Sequence, residues 1–266
     1  MALTINEFLE DFANRLRIDG LSDEGKKIDN SINHLISNLK NEFNDDIIEI
    51  KPFGSYKRGT NLSRRYDENS DIDLLVIFNH DNINYKPITY RKHLEDFSNI
   101  YYSNSLSFKA QPAVVLELNH IKYDLVPAYL SNNWFSKSLY IPSSDTEWRT
   151  TDPDTFEDQL NEKDKKNNYM LKPVIRLLKA WNAKAGYPLQ SYFLEKEVVD
   201  DVYIFPETLE EYFFNCIKNL SSTDVNITDK KIGSLKRNAK KVRSALSNDK
   251  KRSAISWLSH ILPIRT

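Results

Sequence analysis

The chain has 266 residues, of which 40% are hydrophobic and 28% are charged, and its formal net charge at pH 7 is −1. This length suits one large domain or two lobes that each bury a core. No apolar segment approaches the length of a membrane span, and the near-neutral charge gives no global attraction to nucleic acid or to an anionic lipid surface. The single cysteine excludes an intrachain disulfide and a cysteine-based zinc site. Together with acidic, amphipathic first residues, it predicts a cytoplasmic protein.

The first predicted elements are helices over residues 4–17 and 21–44. The second of these follows Ser22, a typical helix-capping residue, and repeats apolar side chains at helical spacing. Those side chains, whose expected role is core packing, are Ile28, Ile32, Leu35, Leu39 and Phe43.

Two strands are predicted next, over residues 46–53 and 71–78. The second begins with Asp71 and Asp73, and because strand side chains alternate between faces, these two carboxylates project from the same side. Such a pair is costly beside an apolar strand unless a cation neutralises it. Mg²⁺ suits the pair because it prefers oxygen ligands and is commonly shared between carboxylates and substrate phosphates. We therefore predict a Mg²⁺ site here, with Mn²⁺ as an alternative.

The Gly54-Ser55 turn between these strands has the features of a phosphate site. Glycine lets the backbone approach closely, and the amides and hydroxyl at the start of a helix can bind phosphate oxygens. Together with the aspartates, the turn indicates a nucleoside triphosphate site. Basic residues follow the turn and either hold phosphates or, as is more common, are solvated: Lys57, Arg58, Arg64 and Arg65.

Residues 79–112 are predicted to be irregular to helical, and a hairpin follows over 113–119 and 123–130. Asp124 lies among apolar residues in its second arm, where a lone carboxylate is expensive without a partner. If the hairpin continues the sheet, Asp124 joins Asp71 and Asp73, and three carboxylates are what two-metal phosphoryl transfer requires. Residues 131–156 are predicted to be loop-like.

The rest of the chain is predicted to be helical, over residues 156–186, 190–202, 206–220, 228–247 and 249–261. Strands early and helices late predict an α+β fold with two domains. We expect a mixed β-sheet lobe with its N-terminal helices over residues 1–150, a helical lobe over residues 151–266, and an active site in the cleft between them.

Three cations, Lys172, Arg176 and Lys179, fall on one stripe of the first late helix. They form either a solvated face or a clamp for a triphosphate. Ser191 and Tyr192 open the next helix, where the serine is either a cap or a phosphate donor, and the tyrosine is either a core residue or a stacking partner for a base.

A second cationic segment covers residues 228–252 and is predicted to be an amphipathic helix. A solvated helix face is the more common interpretation of such a segment, and contact with nucleic acid or a partner protein is the other.

In order, the motifs GSYKRGT (54–60), DID (71–73), YDLVPAY (123–129), RLLKAWN (176–182) and SYFLE (191–195) resemble those of the polymerase-beta-like nucleotidyltransferases. Within that superfamily the chain is similar to the branch of cyclic-GMP-AMP synthase and oligoadenylate synthase. This branch includes the bacterial CD-NTases of CBASS-type anti-phage signalling.

The resemblance implies that Gly54 and Ser55 hold the donor triphosphate and that Asp71 and Asp73 bind magnesium. It also implies that Asp124 ligates the metal that activates the attacking hydroxyl. Lys179 and Ser191 would contact phosphates, and Tyr192 would stack on a base. No zinc-binding insertion like that of the animal DNA sensor is present in the sequence, which argues against direct sensing of duplex DNA.

The expected activity is Mg²⁺-dependent joining of nucleoside triphosphates into a cyclic di- or trinucleotide with release of pyrophosphate. The motifs do not fix the base, the linkage, the activator or the oligomeric state. One alternative is a nucleotidyltransferase that makes linear oligonucleotides or modifies tRNA or a partner protein, as antitoxin-type enzymes do. A nucleotide-binding scaffold is the non-enzyme alternative.

Overall fold

The computed structural model describes residues 4–80, 85–110, 112–133, 136–221 and 225–264. This part of the chain contains ten α-helices and seven strands. The helices are α1 (Ile5–Leu16), α2 (Asp23–Phe43), α3 (Gly54–Arg58), α4 (Pro87–Tyr101), α5 (Pro153–Lys166), α6 (Leu171–Lys184), α7 (Ser191–Asp200), α8 (Leu209–Asn219), α9 (Asn226–Ser247) and α10 (Lys251–Leu258). Ser22 caps α2 as predicted, because its side chain accepts a hydrogen bond from the Gly25 amide at 3.0 Å.

All seven strands belong to one mixed sheet, whose main order is β1-β2-β5-β4-β3. The strands are β1 (Ile47–Phe53), β2 (Asp71–Phe78), β3 (Leu106–Ala110), β4 (Ala113–Glu117), β5 (Lys122–Asn133), β6 (Ser136–Pro142) and β7 (Trp148–Thr151). The pairing of β2 with β5 is parallel, and the other pairings are antiparallel. A mixed sheet with flanking helices confirms the predicted α+β class.

The chain divides into two compact units. The sheet unit comprises Ile18–Arg64 and Asn69–Asp158, and the helical unit comprises Met1–Arg17, Arg65–Glu68 and Gln159–Thr266. The predicted division near residue 150 differs from this one because α1 belongs to the helical unit, where it contacts α6 and α8.

Alternation of side chains gives the sheet two different faces. On β2, Ile72, Leu74, Val76 and Phe78 are buried in a large core with residues of α2 and α4. Leu75 and Ile77 point the other way into a smaller apolar cluster. On β5, the large core takes Tyr123 and Leu125, and the smaller cluster takes Val126 and Ala128. The face with the smaller cluster is the one that receives Asp71, Asp73 and Asp124.

The prediction missed three strands. Residues 79–112 contain α4 and β3, and the loop predicted over residues 131–156 contains β6 and β7. The reason is tertiary, since β5 pairs with β4 only over its first half and with β6 over its second half. Pro127 lies between these two pairings. Its missing N–H therefore removes no hydrogen bond from the edge of β5 that pairs with β4 and β6.

The helix predicted over residues 156–186 is two helices. Asn168 and Tyr169 between them have left-handed backbones, with φ of 53° and 60°. The buried side chain of Asp164 accepts hydrogen bonds from the amides of Leu171 and Lys172 at 2.9 and 3.1 Å, and so satisfies the first turn of α6.

The basic segment 228–252 is likewise not one helix. It covers most of α9 and the first two residues of α10, and Asp249 between the two helices has a φ of 56°. Of the apolar residues that repeat at helical spacing in this segment, Ile232, Leu235, Ala239 and Val242 are buried, whereas Leu246 is only partly buried. Among the described residues, no helix is long and apolar enough to cross a membrane.

Candidate active site

The parallel pairing of β2 with β5 brings the three predicted carboxylates onto one face of the sheet. In this register Asp73 is the direct partner of Asp124, and Asp71 is two residues before Asp73. Parallel partners in register point to the same side. We call the side of the sheet that carries Asp71, Asp73 and Asp124 the acidic face. The prediction that the hairpin continues the sheet of Asp71 and Asp73 is confirmed.

Asp124 is the most strongly perturbed of the carboxylates for which a pKa shift is resolved. Burial, and then the negative charge of Asp71, raise its pKa from 3.8 to about 7, and Lys122 offsets part of this rise. The interaction with Asp71 shows that the carboxylates of the acidic face are close enough to repel one another.

Gly54 lies directly against this face. A Cβ atom placed on Gly54 would be 1.9 Å from Oδ2 of Asp73, and Gly54 has a φ of +69°. Both the close approach and the left-handed backbone require glycine. The first residue of α3 therefore packs directly against the carboxylate of Asp73.

Ser55 is the second residue of α3, as predicted for a phosphate-binding turn. Its carbonyl oxygen accepts hydrogen bonds from the amides of Thr60 and Asn61 at 3.0 and 3.2 Å, which close the segment after α3. Asn61 is 5% exposed, and its side-chain nitrogen has no hydrogen-bond partner in the described part of the chain. Because α3 has only five residues, most of its backbone N–H groups belong to its first turn and have no hydrogen-bond partner within the helix.

Of the four basic residues after Gly54, Lys57, Arg58 and Arg64 have partners in the structure, whereas Arg65 is exposed, with its guanidinium 5.6 Å from the centre of the Tyr66 ring. That they hold phosphates stays a prediction. The ammonium of Lys57 pairs with Asp154 at 3.1 Å and with Glu157 at 3.0 Å. The hydrogen bond to Glu157 is the main cause of a raised pKa at Lys57. Arg58 is buried over the ring of Phe156, and Arg64 lies 3.6 Å from Glu117. These cations fasten the turn to α5 and to β4.

The chemistry of the acidic face fits a magnesium ion. Carboxylate oxygens are ligands that Mg²⁺ prefers, and the raised pKa of Asp124 reflects a burial and repulsion that a cation would relieve. Among the described residues, no group of three or more His, Cys, Asp or Glu side chains is arranged so that it could hold a metal ion. A Mg²⁺ site at Asp71, Asp73 and Asp124 therefore stays a prediction.

The predicted cationic stripe of the late helix is not a solvated face. Lys179 on α6 is 5% exposed and pairs with the buried Glu195 of α7 at 2.5 Å. Arg176 is also buried and donates from Nε to the carbonyl of Ala13 at 3.1 Å, and burial lowers its pKa to about 10. Lys172 donates to the side chain of Asn161 at 2.7 Å. The stripe therefore fastens α6 to its neighbours within the helical unit.

Ser191 and Tyr192 open α7, but Ser191 is not its cap. The capping position is Gln190, and Ser191 is the first helical residue, so its amide is one of the N-terminal donors without a partner in the helix. Tyr192 is 53% exposed, so its interpretation as a core residue is wrong. Contacts of Lys179 and Ser191 with phosphates, and stacking of Tyr192 on a base, stay predictions.

Glu195 is the site-related residue that the sequence reasoning missed. It lies four residues after Ser191, on the same side of α7, and it holds the ammonium of Lys179. The signal was present in SYFLE, where an acidic residue is embedded in an apolar helix and therefore needs a partner.

In protein freed of divalent cations, Asp124→Asn is expected to be more stable than the wild type at about pH 8 and equal to it near about pH 4. The pKa of Asp124 is about 7 when folded against 3.8 for an ordinary aspartate, so the folded chain holds this proton more tightly. Stability is therefore lost as the pH rises through that window, and asparagine removes the loss, on the order of 4 kcal/mol. Urea unfolding in a chelator, across this pH range, measures it. A difference that does not vary with pH would contradict the assignment.

Lys179→Met is expected to lower the free energy of unfolding by about 3–5 kcal/mol, because it leaves the buried carboxylate of Glu195 without its cation. Adding Glu195→Leu should restore part of the loss, since both charges are then gone. The matched control is Lys196→Met, which breaks an exposed ion pair with Asp200 on the same helix and should cost less than about 0.5 kcal/mol. Strictly additive losses at Lys179 and Glu195, measured by chemical denaturation, would show that the two charges are not coupled.

Comparison with known proteins gives one family match that covers more than half of the chain. The model of the Second Messenger Oligonucleotide or Dinucleotide Synthetase domain matches residues 3–164. A probable cyclic nucleotide synthase of Bacillus cereus (strain VD146) is 27% identical over an alignment of 186 residues, and the match covers 57% of this chain and 55% of that protein. A putative protein adenylyltransferase of Methanocaldococcus jannaschii is 44% identical over 52 residues, 20% of this chain and 32% of that protein.

Solved structures show the same fold. The Escherichia coli MS115-1 CdnC in its HORMA-deltaN complex has a TM-score of 0.73 at 13% identity, covering 96% of each chain. The Elizabethkingia meningoseptica CdnE cyclic dinucleotide synthase, solved with GTP and Apcpp, has a TM-score of 0.66 at 16% identity, covering 89% of this chain and 97% of that one. The predicted nucleotidyltransferase fold and the resemblance to CD-NTases are confirmed. The chain belongs to the Second Messenger Oligonucleotide or Dinucleotide Synthetase family.

Proposed function

We propose that this protein is a Mg²⁺-dependent nucleotidyltransferase that joins nucleoside triphosphates into a cyclic di- or trinucleotide and releases pyrophosphate. The observation that carries the proposal is the register of β2 against β5, which sets Asp73 beside Asp124 on the face that also carries Asp71. Membership of a second-messenger synthetase family and the likeness to a cyclic nucleotide synthase support it.

In this reaction the 3′ or 2′ hydroxyl oxygen of one nucleotide forms a bond to the α-phosphorus of another. The bond from that phosphorus to the pyrophosphate oxygen breaks, and the hydroxyl proton is lost. Magnesium held by Asp71, Asp73 and Asp124 would supply positive charge to the phosphoryl oxygens. Ser55, at the start of α3, would donate its amide and hydroxyl to the donor phosphates.

The residues of the helical unit have supporting roles in the proposal. Lys179 and Ser191 would contact the triphosphate, and the half-exposed ring of Tyr192 would stack on a base. A cytoplasmic location and a role in CBASS-like anti-phage signalling are further parts of the proposal, and the resemblance to bacterial CD-NTases supports the second of them.

Transfer of a nucleotide to a protein is the second candidate. The observation that favours it is the 44% identity, over 52 residues, to a putative protein adenylyltransferase. The two activities share the donor site and differ in the acceptor hydroxyl, so a product assay separates them.

Incubation of the wild type with all four ribonucleoside triphosphates and Mg²⁺ is expected to give a phosphatase-resistant cyclic product and pyrophosphate, read by mass spectrometry. Asp73→Asn should reduce product formation by at least about 100-fold, because it removes a charge from the proposed metal site. Label that appears on protein or RNA would support the second candidate. If no nucleotide is consumed, the protein is a nucleotide-binding scaffold.

Gly54→Ala is expected to lower kcat/KM by at least about 100-fold, because the new methyl group would displace the carboxylate of Asp73. Gly59→Ala is a matched control. Gly59 has the same φ of +69°, but apart from its chain neighbours no atom of the described residues lies within 4 Å of its Cβ position. Both variants should lose about 1 kcal/mol of stability from the left-handed backbone. Equal losses of activity in the two variants would show that backbone strain, and not the contact with Asp73, is responsible.

A further inference from the structure

A groove of about 360 Å³ lies between α8 and α9 in the helical unit. Its floor is apolar and consists of Phe214, Ile217 and Ala239, which are all buried. Its walls carry four cations, which are Lys218, Lys236, Lys240 and Arg243. We call this site, with the depression described below, the α8–α9 groove.

The cations form two opposed walls. Lys236, Lys240 and Arg243 are spaced by four and three residues on α9 and so follow one another along the groove. Lys218 stands on α8. Lys236 donates to the carbonyl of Leu220 at 2.8 Å, whereas Lys218, Lys240 and Arg243 have exposed side chains. None of the seven described residues that line this part of the groove is acidic.

An apolar ledge, formed by Val202, Ile204 and Phe205, continues the groove at one end. A depression of about 700 Å³ shares Phe214, Lys218 and Arg243 with it and is bounded by the segment 202–206. Val202, Ile204 and Phe205 of this segment are 70%, 78% and 93% exposed. Phe205 also has a left-handed backbone, with a φ of 54°, which is rare for a bulky residue. Clustered apolar side chains at the surface, beside a groove, are typical of a protein interaction site.

We propose that the α8–α9 groove binds an acidic amphipathic segment of a partner protein. Apolar side chains of that segment would cover the floor and the ledge, and its carboxylates would face Lys218, Lys240 and Arg243. Charge complementarity selects an acidic partner, and the apolar floor and ledge select one with an apolar face.

Nucleic acid fits the groove less well, although α9 is basic. Glu210 and Glu211 line the depression and would repel a phosphate backbone and an acidic segment alike, so charge does not decide between the two partners. The apolar surface decides, because a phosphate backbone has no apolar side chains that could cover Val202 and Ile204. The basic segment predicted from sequence therefore has two kinds of surface. Lys236, Lys240 and Arg243 of α9 face the apolar groove, and the other basic residues of α9 do not line it.

Fluorescence anisotropy with labelled peptides tests the proposal on the full chain. The probe is a helical peptide of about 18 residues with Leu at i, i+3, i+4 and i+7 spacing and Glu elsewhere, and its control has the same composition in scrambled order. The wild type is expected to bind the amphipathic probe at least about tenfold more tightly than the scrambled one.

The double variant Lys240→Glu with Arg243→Glu is expected to weaken binding of the amphipathic probe by at least about tenfold, and Phe205→Ser by about threefold or more. The matched control is Lys230→Glu with Arg237→Glu, which makes the same charge change on exposed residues of α9 that do not line the groove. It should change binding by less than about twofold. Circular dichroism confirms folding, and the neutral pair Lys240→Gln with Arg243→Gln replaces the reversal if that variant does not fold.

Equal binding of the two peptides, or equal losses in the two charge-reversal variants, would overturn the proposal. A single-stranded RNA of about 20 nucleotides is the competing probe. RNA binding that the Lys240 and Arg243 reversal abolishes, without peptide binding, would assign the groove to nucleic acid instead.

Discussion

The parallel pairing of β2 with β5 is the constraint on which the rest of the candidate site depends. A shift of this register by one residue would turn Asp124 into the large core and move Tyr123 to the acidic face. The two apolar clusters prevent such a shift, because each takes alternate residues from both strands. The energy that places the carboxylates therefore comes from apolar side chains that take no part in the chemistry.

The acidic face contains two features that oppose folding. Asp124 is held where burial and the charge of Asp71 oppose its ionisation, and Gly54 takes a left-handed backbone so that the turn can approach Asp73. Each feature costs folding energy in the absence of a ligand. A bound cation and an anionic substrate are the kinds of partner that would offset the repulsion.

Cations are distributed in two ways in this chain. Some are partnered, as Lys57 is with Asp154 and Glu157, and as Lys179 is with Glu195. Those along the α8–α9 groove include the exposed side chains of Lys218, Lys240 and Arg243 above an apolar floor. The same residue type thus fastens structure in one place and forms a recognition surface in another, and only the local partners distinguish the two.

The sequence by itself determined the local features. The spacing of Asp71 and Asp73 on an apolar strand, the Gly54-Ser55 turn and the apolar repeat of α2 follow from residues close together in the chain, and the structure has each where it was predicted. Helical and strand periods are properties of short segments, so they can be read without knowing the fold.

The tertiary structure decided the features that depend on contacts between residues far apart in the sequence. The strands β6 and β7 exist because β5 continues past β4, and the break between α5 and α6 is satisfied by the side chain of Asp164. Lys179 belongs to a stripe of cations that could have been a solvated face, but it is buried in an ion pair with Glu195. Burial, together with the charge of Asp71, raises the pKa of Asp124. Such contacts join residues far apart in sequence, and their energies depend on desolvation, which no local pattern encodes.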